Sequence, residues 1–155
     1  MVSPLVRLIA LAGLLALAGC TLTPPTTTAP RDDMPVGIQD SSPAHSLLAS
    51  ARNARSRGDT GAAGRYLERA LSMAGAGEAT VLYRELAELR LAEGKPRDAE
   101  GLALRALREA PANAEWRAGL WDILATARQR QGNTDGSEAA RAEAEKLRGS
   151  QMGAR

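Results

Sequence analysis

The sequence has no phenylalanine, one cysteine, one histidine, two tyrosines and two tryptophans in 155 residues. One cysteine excludes an intrachain disulfide framework and any multi-cysteine metal site. One histidine excludes a multi-histidine metal centre. Few aromatic or β-branched residues follow residue 43, which argues against a β-sandwich or barrel. Neither sign of charge dominates: Lys+Arg number 20 and Asp+Glu 18. The strong basic stripe that nucleic-acid binding requires is therefore missing. The length accommodates at most one domain. What the chain does have is alanine at 31 positions, with abundant leucine and arginine, a mixture that favours helix on intrinsic propensity.

The first 19 residues read as a secretory signal rather than part of the fold. Arg7 is their only charge, and Leu8 to Leu17 is an apolar run too short to span a bilayer comfortably. Leu17-Ala18-Gly19-Cys20 resembles a bacterial lipobox. The resemblance implies that the Cys20 thiol is diacylated, the signal is cut before it, and the new amino group is acylated in turn. No other cofactor is expected. Several acyl chains hold a membrane far more firmly than one, each buried methylene adding roughly 0.8 kcal/mol. Thr21, rather than aspartate, follows the cysteine, which by the same resemblance implies the periplasmic face of the outer membrane. Cleavage leaves 19 Lys+Arg against 18 Asp+Glu, a near-neutral working protein.

Residues 20–43 carry the lipid-bearing cysteine and a Thr/Pro-rich stretch, with Pro24, Pro25, Pro30, Pro35 and Pro43 and no hydrophobic period. Proline fixes φ and removes donors, so this segment is expected to be an extended, mobile tether. Its upper reach is roughly 70 Å at about 3.1 Å per residue.

From residue 44 to 148 the pattern is helical and repeats, and 149–155 is expected to be a disordered tail. Gly58, Gly94 and Gly132 lie 36 and 38 residues apart, each after an apolar-periodic run where a helix would end in the left-handed region. Helix starters follow: Asp59 or Thr60, Pro96 and Thr134. Such a period means stacked helical hairpins. Ala63, Ala70 and Leu71 parallel Ala99, Ala106 and Leu107, small residues that let paired helices approach closely. Bulky anchors precede a small residue by four: Leu47 with Ala51, Tyr83 with Ala87, Trp121 with Ala125.

These residues resemble the tetratricopeptide repeat family. The fold implied is all-α, three helical hairpins in a short right-handed solenoid. The third hairpin departs from the pattern at Arg141 and Glu145, as a polar solenoid end would, while Ser137 and Ala144 keep its small positions.

No catalytic set emerges. His45 has no partner to orient it as a base, and Gly75-Ala76-Gly77-Glu78 has neither the preceding strand nor the Lys-Ser/Thr of a phosphate loop. It reads as the turn between the first two repeats. Glu85 beside Arg84 and Glu88 reads as ordinary helix-surface charge. Trp121 is assigned to the core, and Trp116, near its helix start, to a partly exposed position available to a partner.

In tetratricopeptide proteins the first helix of each hairpin lines a groove that takes a peptide or partner helix. By register, the groove residues here are Leu48, Arg52 and Arg55; then Arg84, Glu88 and Leu91; then Asp122, Thr126, Gln129 and Arg130. Arginines outnumber acids among them, which suits a carboxylate-bearing partner. The combination of lipobox, tether and short repeat domain resembles the lipoprotein activators of class A penicillin-binding proteins. It implies a non-enzymatic periplasmic adaptor in peptidoglycan synthesis that binds a protein, not a small molecule or nucleic acid. Pilotin-like assembly factors for secretins and type IV pili share the same parts, as do scaffolds for wall hydrolases.

Overall fold

A computed structural model describes residues 36–75 and 77–152. The lipobox Leu17-Ala18-Gly19-Cys20, the signal segment and residues 153–155 lie outside the described residues. Those described form six helices and no strand: α1 (Pro43–Ser56), α2 (Thr60–Met73), α3 (Ala79–Ala92), α4 (Pro96–Glu109), α5 (Ala114–Arg130) and α6 (Thr134–Met152). Successive helices pair as three hairpins, α1/α2, α3/α4 and α5/α6, and each hairpin stacks on the next. This is the all-α repeat architecture that the glycine period and the small-residue register point to.

The hairpin turns share one geometry. Gly58, Gly94 and Gly132 have φ of +78°, +73° and +78°. In each turn the residue after the glycine donates its N–H back across the helix end: Asp59 to Ala54 O, Lys95 to Arg90 O, and Asn133 to Arg128 O. The otherwise unpaired terminal carbonyls are thereby satisfied, and only glycine enters this conformation without steric cost. Asp59 caps α2 through its side chain, which accepts from the Ala62 N–H at 2.8 Å. In the third hairpin the capping side chain is Asn133, accepting from the Gly136 N–H at 2.9 Å. Thr134, expected as the starter, is instead the first residue of the helix.

The small positions are the tightest. Ala51, Ala63, Ala70, Ala87, Ala99, Ala106 and Ala125 are all 2% exposed or less. Leu82, Leu89, Leu120 and Leu124 are the largest fully buried side chains. Leu47 packs half-buried on the first of two core clusters, while Tyr83 and Trp121 pack half-buried on the second. Trp121 is thus less enclosed than its core assignment implied, because α5 turns its Leu120 and Leu124 inward instead. Arg141 and Glu145 are exposed, as suits the polar face of a terminal helix.

Two boundaries differ from the sequence expectation. The tether does not run free to residue 43, because Val36 and Ile38 pack against the first core cluster, which removes apolar surface from water. At the other end α6 continues past residue 148 to Met152. Near its end an ion pair from Arg148 to Asp122 holds it to α5.

Ser137 occupies the place held by Ala63 and Ala99 in the other hairpins. It is 1% exposed, and its hydroxyl has no hydrogen-bond partner. A buried polar group without a partner costs free energy that an isosteric apolar group does not. Ser137→Ala is therefore expected to stabilise the domain by about 1 kcal/mol, raising Tm by roughly 4–6 °C in a thermal melt followed by circular dichroism.

Candidate functional site

The first helices of the hairpins, α1, α3 and α5, converge on a groove of about 500 Å³. Its centre is Glu85, a carboxylate on α3 that is only 9% exposed. From α1, Arg52 donates to it through Nε at 2.8 Å, and Arg55 Nη1 lies 3.2 Å from its other oxygen. Arg55 also reaches Glu88 at 3.4 Å. Arg84 Nε donates to the far oxygen of Glu88 at 3.1 Å. Three guanidinium groups thus share two carboxylates, which leaves a surplus of one positive charge. The larger arginine surplus expected from the sequence is corrected by Glu85, which is not ordinary surface charge but the partner that holds α1 to α3.

The α5 side is built on Trp116. Asn113 caps the helix by accepting the Trp116 N–H at 2.9 Å. The indole Nε1 donates to the Thr80 hydroxyl at 3.3 Å, which donates in turn to the Ala106 carbonyl at 3.1 Å. Pinned in this way, the half-buried ring packs against both core clusters. The Arg84 guanidinium lies 4.6 Å above the ring centroid, a cation–π arrangement. The same guanidinium rests against Gly119, where an added Cβ would sit 3.6 Å from Arg84 Nη1, an ordinary contact.

The structure gathers Arg52, Arg55, Arg84 and Glu88 at one place. Leu48 is 4% exposed and belongs to the core, so only its edge reaches the groove floor. Leu91 packs half-buried against the second cluster. Asp122 and Gln129 are engaged from α6, by Arg148 and Arg141. The Thr126 hydroxyl bonds back to the Asp122 carbonyl at 2.9 Å. Arg130 donates to Leu91 O and sits near Pro96 at the start of α4, away from the Glu85 cluster. The third-hairpin residues are drawn toward the helices that pack on them, and the concave surface they were expected to continue is carried instead by Trp116 and Gly119.

His45, Val81, Gly119 and Glu85 were missed as site residues, whereas Trp116 is half-buried at the groove, in keeping with its expected availability to a partner. The signal for three of them was present. His45, Val81 and Gly119 stand one helical turn before Leu48, Arg84 and Asp122, on the same stripe. His45 Nε2 lies 3.4 Å from the Asp40 carboxylate. Among the described residues no group of three or more His, Cys, Asp or Glu side chains could hold a metal ion. No helix among them is long and apolar enough to cross a membrane.

Three carboxylates outside the groove tie elements together. Glu78, in the turn before α3, is held below the ordinary carboxylate range by the Gly75 N–H, with help from the Ser42 hydroxyl and the Gln39 N–H and against partial desolvation. Glu93 is lowered by Lys95 and then Arg90. Glu100 on α4 is lowered by Arg128 on α5 and then Gln131, again against desolvation. For a depressed carboxylate the unfolded chain binds more protons at acid pH, so the stabilisation is complete above the unfolded value and fades as pH falls through the folded one. Tm is therefore expected to be flat from pH 7 to 5 and to fall below about pH 4.3, the ordinary glutamate value. Glu100→Gln should shallow that fall, which a series of melts against pH would show.

No family model matches the sequence, and the comparison with curated proteins finds no relative. Among solved structures, the globular C-terminal domain of P. aeruginosa LpoP is similar, at TM-score 0.64 and 34% sequence identity. The match covers 69% of this chain and 99% of that one.

Proposed function

We propose, from the premise that this chain belongs to the LpoP family, that it is a non-enzymatic lipoprotein adaptor whose groove binds a protein partner in the periplasm. The observation that carries the reading is the groove itself. Its charged groups are spent on one another, with Arg52 and Arg55 on Glu85 and Arg84 on Glu88, so none is set up as nucleophile or base. What it offers a visitor is surface: the half-buried Trp116, the Arg84 guanidinium laid over it and the strip beside Gly119. Tryptophan and arginine are the residue types that dominate binding energy at protein interfaces.

The partner we infer is a class A penicillin-binding protein, activated for peptidoglycan synthesis from the outer membrane. Family membership supports the globular half of this reading. The lipobox at Leu17-Ala18-Gly19-Cys20 and the proline-rich tether support the other half: a small body on a lipid anchor and a flexible leash suits access through the wall matrix. A photo-crosslinking amino acid at Gly119, in cells, tests it. The expected adduct is with a class A penicillin-binding protein. Adducts solely with a secretin subunit or a wall hydrolase would sink the reading and favour the pilotin or scaffold alternative.

A further inference from the structure

The end of the tether lies in the groove. Ile38 lines the cavity beside Leu48 and Val81, and Val36 lines both that cavity and a neighbouring one of about 320 Å³ bounded by Arg84, Trp116 and Gly119. Both side chains pack against the first core cluster. Residues 36–38 thus cross from the α1/α3 side toward α5 over the surface assigned above to the partner.

Among the described residues, the hydrogen bonds that fasten the segment lie downstream of it. Downstream of Ile38, the Ser42 hydroxyl donates to the Glu78 carboxylate at 2.9 Å, and the Ser42 N–H donates to the Gln39 carbonyl at 2.8 Å. Glu78 is in turn fixed by the Gly75 N–H at 2.8 Å. Toward its other end, Val36 and Ile38 are held by apolar contact. Among the described residues these half-buried aliphatic contacts carry no hydrogen-bond ladder, so they hold a strap that can be lifted.

We propose that the groove is a site for an extended segment with aliphatic side chains two residues apart. Val36-Gly37-Ile38 is its resident occupant, and a partner segment of the same character enters by displacing it. This inference rests on the proposed adaptor reading for the identity of the partner, but the strap itself can be tested without one. A covalently attached occupant competes at the millimolar effective concentration of a short linker, so it weakens the binding of every partner by the same factor.

The test uses the full chain carrying Val36→Ser and Ile38→Ser, two positions that lie outside every helix. The partner-free probe is a synthetic peptide of residues 34–40, Met-Pro-Val-Gly-Ile-Gln-Asp, titrated to millimolar concentration and read by tryptophan fluorescence. The expected result is binding to the double variant at least fivefold tighter than to the unaltered chain. Equal binding to both, or binding to neither, overturns the proposal. In the second arm, a purified class A penicillin-binding protein ectodomain should bind the double variant at least threefold more tightly. Weaker binding would make the strap part of the docking surface and overturn displacement. If the ectodomain binds neither chain, the adaptor reading fails while the peptide arm still decides the strap.

Discussion

Replacing Trp116 by alanine is expected to lower the stability of the domain by about 3 kcal/mol and its Tm by roughly 10–15 °C. The magnitude follows from position rather than size alone. The ring is half-buried, which places the loss at the low end of the range for tryptophan truncation, but it packs against both core clusters at once. Its removal opens a gap between the second and third hairpins. The Thr80 hydroxyl loses the indole as donor while keeping its own bond to Ala106 O. Arg84 loses the ring beneath it. Trp116→Phe keeps the apolar body and should recover at least half of the loss. A chemical or thermal melt of the two variants checks this, and a loss under about 1 kcal/mol for Trp116→Ala would show that the hairpins do not depend on the ring.

Replacing Cys20 by serine is expected to move the protein from the membrane fraction to the soluble one and to reduce its action in cells to that of a deletion. Serine cannot form the thioether that carries the diacylglycerol in the lipobox chemistry implied by Leu17-Ala18-Gly19-Cys20. A single chain gives marginal, reversible attachment and two or more give stable attachment, so the shift should be near-complete. The purified globular domain should keep whatever activity it has in solution, because residue 20 is distant in sequence from every groove residue. Fractionation followed by immunoblotting measures the effect. A Cys20→Ser protein that stays in the membrane fraction would remove the lipid anchor from the account.

The helices and their pairing were legible because backbone chemistry writes them into the sequence. A glycine with positive φ is needed at each of three hairpin turns, and Ala63, Ala70, Ala99 and Ala106 mark contacts too close for larger residues. The groove was legible only in its first two hairpins. Arg52, Arg55, Arg84 and Glu88 follow from register, but register cannot tell which charges pair. Glu85 reads as surface charge until Arg52, 33 residues upstream in sequence, is placed beside it. Asp122 and Gln129 fall out of the groove because α6 supplies Arg148 and Arg141 to hold them, long-range pairings with no local signature. The seating of Val36 and Ile38 was hidden for a related reason: proline density in the tether masks two aliphatic residues that find a surface only once α1, α3 and α5 have assembled.

Under the proposed function, a class A penicillin-binding protein is engaged and switched on at the groove beside Trp116 and Gly119. Gly119→Gln tests it with little effect on the fold. The position is inside α5 and has room for a Cβ, and glutamine is a better helix former than glycine by several tenths of a kcal/mol. Its longer side chain fills the strip next to Arg84. The measurement is glycan polymerisation by a purified class A penicillin-binding protein, with and without the unaltered chain or the Gly119→Gln chain. The account predicts stimulation by the unaltered chain and at least a tenfold weaker response to Gly119→Gln at equal or higher Tm. Equal stimulation by both chains, or none by either, would contradict it.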